Sequence, residues 1–266
     1  MDKVNIPDIT VTSLETITAF DILTGNYMFT LDELQTATIG QTQDKQEITG
    51  KQGRKIANMK RNKAITISGT NGLLSHGLMA VQTGAKFEHK TTEVLWTDYL
   101  DVGEGNKATT SFKAVGTAGA EIESLLIKEN GVPTTILEQA EAASSGKFAY
   151  NPTSKELTFF TDVPVGTEIV VHYKRKIVAD TMDNDSDVCS KKCMLYVDAL
   201  AEDRCSNVYR VQFFIPKADF NGEFSIEMGD NQSVHAFEAE SLAGACGSGS
   251  KLWNYTIFGV DTEDAA

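Results

Sequence analysis

From Ala64 onward the chain is cut at short intervals into segments rich in β-branched and aromatic residues, each closed by glycine, asparagine, aspartate or proline. That punctuation allows little except a protein built of many short strands. Residues 64–69 (AITISG), 86–102 around Val94, Trp96 and Tyr99, and 108–116 (ATTSFKAVG) read as strands. Residues 122–128 (IESLLIK) run into Asn130-Gly131, a two-residue hairpin signal. Residues 156–161 (ELTFFT) and 167–177 (TEIVVHYKRKI) are separated by a Pro-Val-Gly turn, and in the second Val171, Tyr173, Arg175 and Ile177 alternate with His172, Lys174 and Lys176. Residues 192–200, 208–215, 222–228, 234–242 and 252–260 complete the series, with turns at 219–222 and 229–231. The expectation is a mainly β fold, an antiparallel β-sandwich or barrel.

Helix is scarce. Residues 73–83 (LLSHGLMAVQT) form the best window, with Leu74, Leu78 and Val81 on one side, Gly84 as a stop and Gly77 as a weak point. Residues 137–143 (LEQAEAA) suggest a shorter helix. The stretch 121–177, with its own hairpin, short helix and strands, reads as a small β unit inserted into a sandwich made of 1–120 and 178–266.

Charge adds an asymmetry. The chain holds 24 basic and 37 acidic residues, a formal charge of −13. Yet from Ile48 to Phe87 there is no Asp or Glu, while Lys51, Arg54, Lys55, Lys60, Arg61, Lys63 and Lys86 supply seven positive charges. The remainder then stands at −20. A nucleic-acid patch is one reading, but the segment lacks interleaved aromatics and the surrounding field repels phosphate. A solvated loop with scattered charges is another. The third is self-complementarity, a basic arm on one copy meeting an acidic surface on the next, a head-to-tail contact that builds rings or filaments. A hydrophobic content of 41% excludes a disordered chain, and no apolar run is long enough to span a membrane. The opening MDKVNIPDIT has neither a basic nor an apolar leader region, so the expectation is a protein made and kept in the cytoplasm, or assembled there.

Catalytic signatures are missing: no G-x-S-x-G elbow, Walker loop, dinucleotide fingerprint or H-E-x-x-H occurs. The glycine-rich 244–250 lies between strands, where no helix N-terminus can meet a phosphate. Cys189, Cys193, Cys205 and Cys246 read as reduced thiols, since no histidine stands at zinc-ligand spacing. Residues 179–190 (ADTMDNDSDVCS) read as a surface loop; Asp183, Asp185 and Asp187 alternate as in a calcium loop, but its glycine and terminal glutamate are lacking. Glu238 and Glu240 share a strand face, which could serve acid–base work but in an acidic protein reads as a solvated face. The expectation is no enzyme, no cofactor and no metal.

Two stretches carry a family resemblance. One is EITGKQGRKIANMKRNK at 47–63 leading into AITISGTNG at 64–72; the other is YRVQFFIPKADFNGEFSIEMG at 209–229 with FEAESL at 237–242. Together they resemble the major tail tube proteins of bacteriophages with long, non-contractile tails. The resemblance implies a β-sandwich flanked by a helix, six copies closing into a ring, and rings stacking into a tube whose inner wall is a continuous barrel. It implies a virion protein assembled in the host cytoplasm, partnered by itself and by tape measure, tail terminator and distal tail proteins, with genome DNA passing an acidic lumen without specific binding and no membrane involved. Lys51, Arg54, Lys55, Lys60, Arg61 and Lys63 are then candidates for a contact between subunits or rings. Glu223, Glu227, Glu238 and Glu240 are candidates for the lumen or an interface. Two rivals remain: a head decoration or other capsid-associated protein, and a carbohydrate-processing or carbohydrate-binding β protein. The last needs an aromatic platform, and Trp96 and Trp253 are distant in sequence.

Overall fold

The computed structural model describes residues 8–129, 131–227, 234–243 and 249–259. The chain divides into two compact units, one made of residues 1–86 and 182–266 and the other of 87–181.

The first unit opens with β1 (Ile9–Asp21), β2 (Tyr27–Leu31), β3 (Leu34–Thr49), β4 (Lys55–Asn71) and α1 (His76–Thr83). The second unit follows with β5 (Phe87–Asp101), β6 (Lys107–Thr109), β7 (Ile122–Glu129), β8 (Val132–Gln139), β9 (Lys147–Asn151), β10 (Glu156–Phe159) and β11 (Glu168–Met182). The chain then returns to the first unit through β12 (Lys192–Asp203), β13 (Val208–Phe220), β14 (Ile226–Glu227), β15 (Val234–Ser241) and β16 (Asn254–Gly259). The protein is mainly β with antiparallel sheets and a single α-helix among the described residues.

In the first unit the strands join in the order β2-β1-β12-β13-β15-β4-β3, with β14 on β15 and β16 on β13. β1 and β3 stand far apart in that order yet approach one another, so the sheet rolls into a half-barrel. The inner face is apolar: Ile17 and Ala19, Leu195 and Val197, Ile215, Phe237 and Ala239, and Ile65 and Ile67 gather in one core. The helix closes it with Leu78 and Val81. Ser75 caps the helix through its Oγ, which accepts from the Leu78 N–H at 3.3 Å, and Gly84 ends it at φ +78°. The helix therefore begins after Leu73 and Leu74, which are exposed rather than part of its apolar side. Gly77 has a packing reason: a Cβ there would lie 2.6 Å from the Phe29 Cβ and 2.9 Å from the Met28 carbonyl oxygen, so only glycine lets the helix approach β2.

The second unit is a seven-stranded sheet in the order β5-β11-β7-β8-β9-β10-β6. It is antiparallel except for the short parallel pairing of β8 with β9 at Glu138–Lys147 and Gln139–Phe148. Leu125, Phe148, Leu157, Ile169, Val171 and Tyr173 form its core.

Several expectations change. Residues 137–143 are not helical: β8 runs to Gln139, and the Ala140 N–H donates to the Phe148 carbonyl at 2.8 Å. The helix formers there are too few to nucleate a helix against a ready strand partner, the register of β7 with β8. Residues 108–116 contribute only the end of β6, and 222–227 only the two-residue β14. β11 continues to Met182, so the acidic loop starts later than 179. The turns at Asn130 and 229–231, most of the glycine-rich 244–250, and Cys246 lie outside the described residues.

Candidate assembly surfaces

β3 and β4 form a long antiparallel hairpin, paired with three register shifts from Leu34 opposite Asn71 to Thr49 opposite Lys55. Its root belongs to the half-barrel, because β15 pairs with β4 from Asn71 down to Ile65. Beyond Ile65 β4 has β3 as its sole strand partner among the described residues, and residues 41–49 and 55–64 are all exposed. At roughly 3.3 Å per residue, this free ribbon reaches about 25 Å from the last three-stranded rung. A β-bulge between Thr42 and Asp44, with Asn62 opposite at φ +50°, marks where the ribbon leaves the sheet and sharpens its twist.

All six basic candidates sit on this ribbon. Lys51 lies in a single 3-10 turn at the tip and Arg54 directly after it, while Lys55, Lys60, Arg61 and Lys63 follow along β4. Lys55 forms an ion pair across the hairpin with Glu47. The Asn62 amide donates to the Asp44 carboxylate at 3.0 Å, and the Arg61 Nε points to the Met59 sulfur at 2.8 Å. Lys51, Arg54, Lys60 and Lys63 make no ion pair among the described residues. Lys60 stands directly opposite Lys45, a like-charge pair that works against the ladder. Ile48, Ile56 and Met59 are exposed on the same ribbon, with Ile56 64% accessible. A two-stranded ribbon with unpaired cations and apolar side chains in water is marginal on its own. Lys86 is not on the ribbon; it follows α1 and is exposed.

The outer face of the half-barrel carries the acidic candidates. On β15, His235, Phe237, Ala239 and Ser241 are buried while Glu238 and Glu240 are exposed, so the two carboxylates do share one face. Glu227 pairs opposite Val234 and falls on that same face. Glu223 does not: it precedes β14 in a turn, its N–H bonded to the Asn221 side chain at 3.1 Å. Glu240 lies opposite Asp219 on β13, and Glu238 opposite Ser68 on β4. Lys192 pairs with Asp219 at 3.4 Å, and Asp198 accepts from Gln212 at 3.0 Å.

The same outer face carries an aromatic run. Tyr196 packs on Phe214 with ring centroids 4.7 Å apart, Phe20 meets Tyr196 at 5.8 Å, and Tyr27 meets Phe20 at 6.3 Å. These rings lie opposite the core phase of β1, β12 and β13, where Ala19, Leu195, Val197 and Ile215 point inward. The alternation of aromatic with aliphatic residues in YVDAL and FFI was the available signal.

Under the inner face, His235 Nε2 lies 2.8 Å from Gln82 Oε1, Gln82 Nε2 donates to the Ala236 carbonyl at 3.1 Å, and the Ser75 N–H donates to His235 Nδ1 at 3.3 Å. An Nδ1 that accepts places the imidazole proton on Nε2, and burial holds the His235 pKa below its ordinary value. This is a neutral bracket tying α1 to β15. Among the described residues no group of three or more His, Cys, Asp or Glu is placed to hold a metal. Cys193 is buried, which pushes its thiol up to about 12, while Cys189 and Cys205 are exposed. No helix is long and apolar enough to cross a membrane among those residues.

A family profile described as the YomU/Tube protein family matches residues 10–251. No curated protein matches the chain.

Proposed function

The chain belongs to the YomU/Tube protein family, structural tube proteins of bacteriophage tails, and on that premise we propose that copies of it close into hexameric rings that stack into the conduit for genome ejection. The observation that carries the reading is the basic ribbon. Among the described residues it has four cations without ion-pair partners and three exposed apolar side chains, on a hairpin that no third strand joins beyond Ile65. Another copy supplies what it lacks: carboxylates for Lys51, Arg54, Lys60 and Lys63, and apolar area for Ile48, Ile56 and Met59. Each exposed pair contributes only about 0–1 kcal/mol, but symmetry repeats the set in every subunit.

The outer face of the half-barrel fits the rest of the reading. Its aromatic run, Phe20, Tyr196 and Phe214, offers apolar area for a neighbour in the ring. Glu227, Glu238 and Glu240 lie on that face, and a wall of carboxylates gives a sliding polyanion nothing to grip. Tape measure, terminator and distal tail proteins would contact the ends of such a stack.

Native mass spectrometry at low salt and negative-stain microscopy of the pure protein test the proposal. Hexamers, rings or tubes are expected at micromolar protein, and a strictly monomeric species refutes it. Replacing Lys51, Arg54, Lys55, Lys60 and Arg61 together with Glu is expected to block stacking while circular dichroism and melting stay those of the native fold. Normal tubes from that variant would remove the ribbon from the contact. Tight binding of duplex DNA by assembled tubes at physiological salt would refute the acidic conduit.

A further inference from the structure

The second unit carries a cleft of its own. It holds about 600 Å³, within the size range of small-ligand sites, and is lined by Phe112, Ala114, Pro152 and Glu121 together with Lys113, Arg175 and Lys176. In a chain of charge −13, this is a local excess of cations. Lys113, Arg175 and Lys176 make no ion pair among the described residues, whereas the neighbouring Lys174 is held by Glu123 at 3.0 Å. Glu121, the one acid in the lining, is already engaged by the Gln139 amide at 2.5 Å and the Gly119 N–H at 3.0 Å.

Arg175 is the unusual member. Its guanidinium lies 3.4 Å from the Phe112 ring centroid and 5.0 Å from that of Trp96, and the two rings meet edge to face at 5.1 Å. Stacking fixes the plane of the guanidinium and leaves its N–H edge without an acceptor among the described residues. A fork held in that way is prepared for a planar carboxylate.

The wall behind it is rigid for a visible reason. Asp98 is buried, which pushes its carboxyl up, but four hydrogen bonds overcome that and hold it below the ordinary carboxylate value. They come from the Ser111 N–H at 2.7 Å, the Ser111 hydroxyl at 2.8 Å, the Tyr173 hydroxyl at 2.8 Å and the Trp96 indole at 2.9 Å. The Tyr173 oxygen in turn accepts from the Phe112 N–H at 2.9 Å, and the Tyr150 oxygen from the Ala114 N–H at 2.9 Å. One carboxylate thus positions Trp96, the loop carrying Phe112, and Tyr173.

We propose that this cleft binds an acidic saccharide, its carboxylate held by the Arg175 fork with Lys113 and Lys176 beside it and the apolar face of its ring against Phe112 and Pro152. A long polyanion fits less well. The cleft is sized for a few sugar rings, and the net charge of the chain repels a phosphate backbone beyond it.

The probes are trigalacturonate, its neutral counterpart trigalactose, inorganic phosphate and single-stranded DNA, titrated calorimetrically and through the Trp96 fluorescence of a Trp253→Phe protein. Trigalacturonate is expected to bind saturably and to weaken with added salt, with trigalactose and phosphate at least about tenfold weaker. Arg175→Lys is expected to lose about tenfold or more in affinity, since an ammonium cannot chelate a carboxylate. Lys113→Glu/Lys176→Glu, which leaves the stacked ring set intact, is expected to abolish binding while amide exchange in β11 stays native. The proposal is overturned by any of four results: no saturation by about 10 mM trigalacturonate, equal affinity for the neutral or phosphate probe, native affinity in Arg175→Lys, or tighter binding of DNA. None of these outcomes depends on whether rings form.

Discussion

The two halves of the β3–β4 hairpin share one ladder and differ in everything else. At the root, β15 adds a third strand and Ile65 and Ile67 are fully buried; past Ala64, among the described residues, the ribbon has two strands and no buried residue. Hydrogen-bonded pairing alone therefore does not distinguish a buried strand from an exposed ribbon. The difference lies in what the side chains reach: the root is stabilised by burial, and the rest of the ribbon is exposed.

The sharpest test of this contrast is a matched pair of isoleucine truncations. Ile67→Ala is expected to cost about 2–5 kcal/mol of stability in chemical denaturation, whereas Ile56→Ala, 64% exposed, is expected to stay within about 0.5 kcal/mol. Equal losses would mean that the ribbon is packed within its own subunit. The glycines form a second pair. A Cβ on Gly69 would run into the Thr36 carbonyl and the Phe237 ring, so Gly69→Ala is expected to cost about 1–3 kcal/mol. On Gly50 the close contacts would be with the Ile56 side chain, which can swing aside, and the Arg54 carbonyl lies at an ordinary 3.7 Å, so a change of a few tenths of a kcal/mol is expected.

Acid titration extends the comparison to the two units. The folded pKa of His235 lies below its ordinary 6.5, so the unfolded chain takes up the proton first. Its contribution is complete above pH 6.5 and is lost as pH falls from there to the lowered folded value. Asp98 is depressed below 3.8, so its contribution is present above that pH and is lost only as pH falls further. Amide exchange is expected to show β15 loosening at mildly acidic pH before β11 does, and His235→Gln is expected to remove most of that slope. The smallest expected effect is on the arm: Lys45→Glu replaces a like-charge pair with Lys60 by an opposite one and should slow exchange in the ribbon by a few tenths of a kcal/mol.

Where a strand is half-buried, its alternation was legible: 167–177, 192–200 and 234–242 fall within β11, β12 and β15 or overrun them by a residue. The helix end at Gly84 was legible for the same kind of local reason. β1 was less legible, because register shifts between Val11 and Ser13 and between Leu14 and Thr16 break the alternation of ITVTSLETITAF. Residues 137–143 misled because helix propensity is weak beside strand pairing. At the ribbon, the acid-free run covers the tip and β4, while its shape, a hairpin pairing Lys55 with Glu47 from outside that run, was invisible in the sequence.

The sequence by itself determined the strand-rich class, the charge asymmetry and the resemblance that the family match bears out, because composition, period and turn chemistry are local properties of a chain. Only the tertiary structure decided which strand faces are buried, that β15 stops short at Ile65 and leaves the ribbon alone, and that Trp96, Phe112 and Arg175 meet. Those are long-range pairings, and a one-residue change of register would have sent each of these side chains to the opposite face.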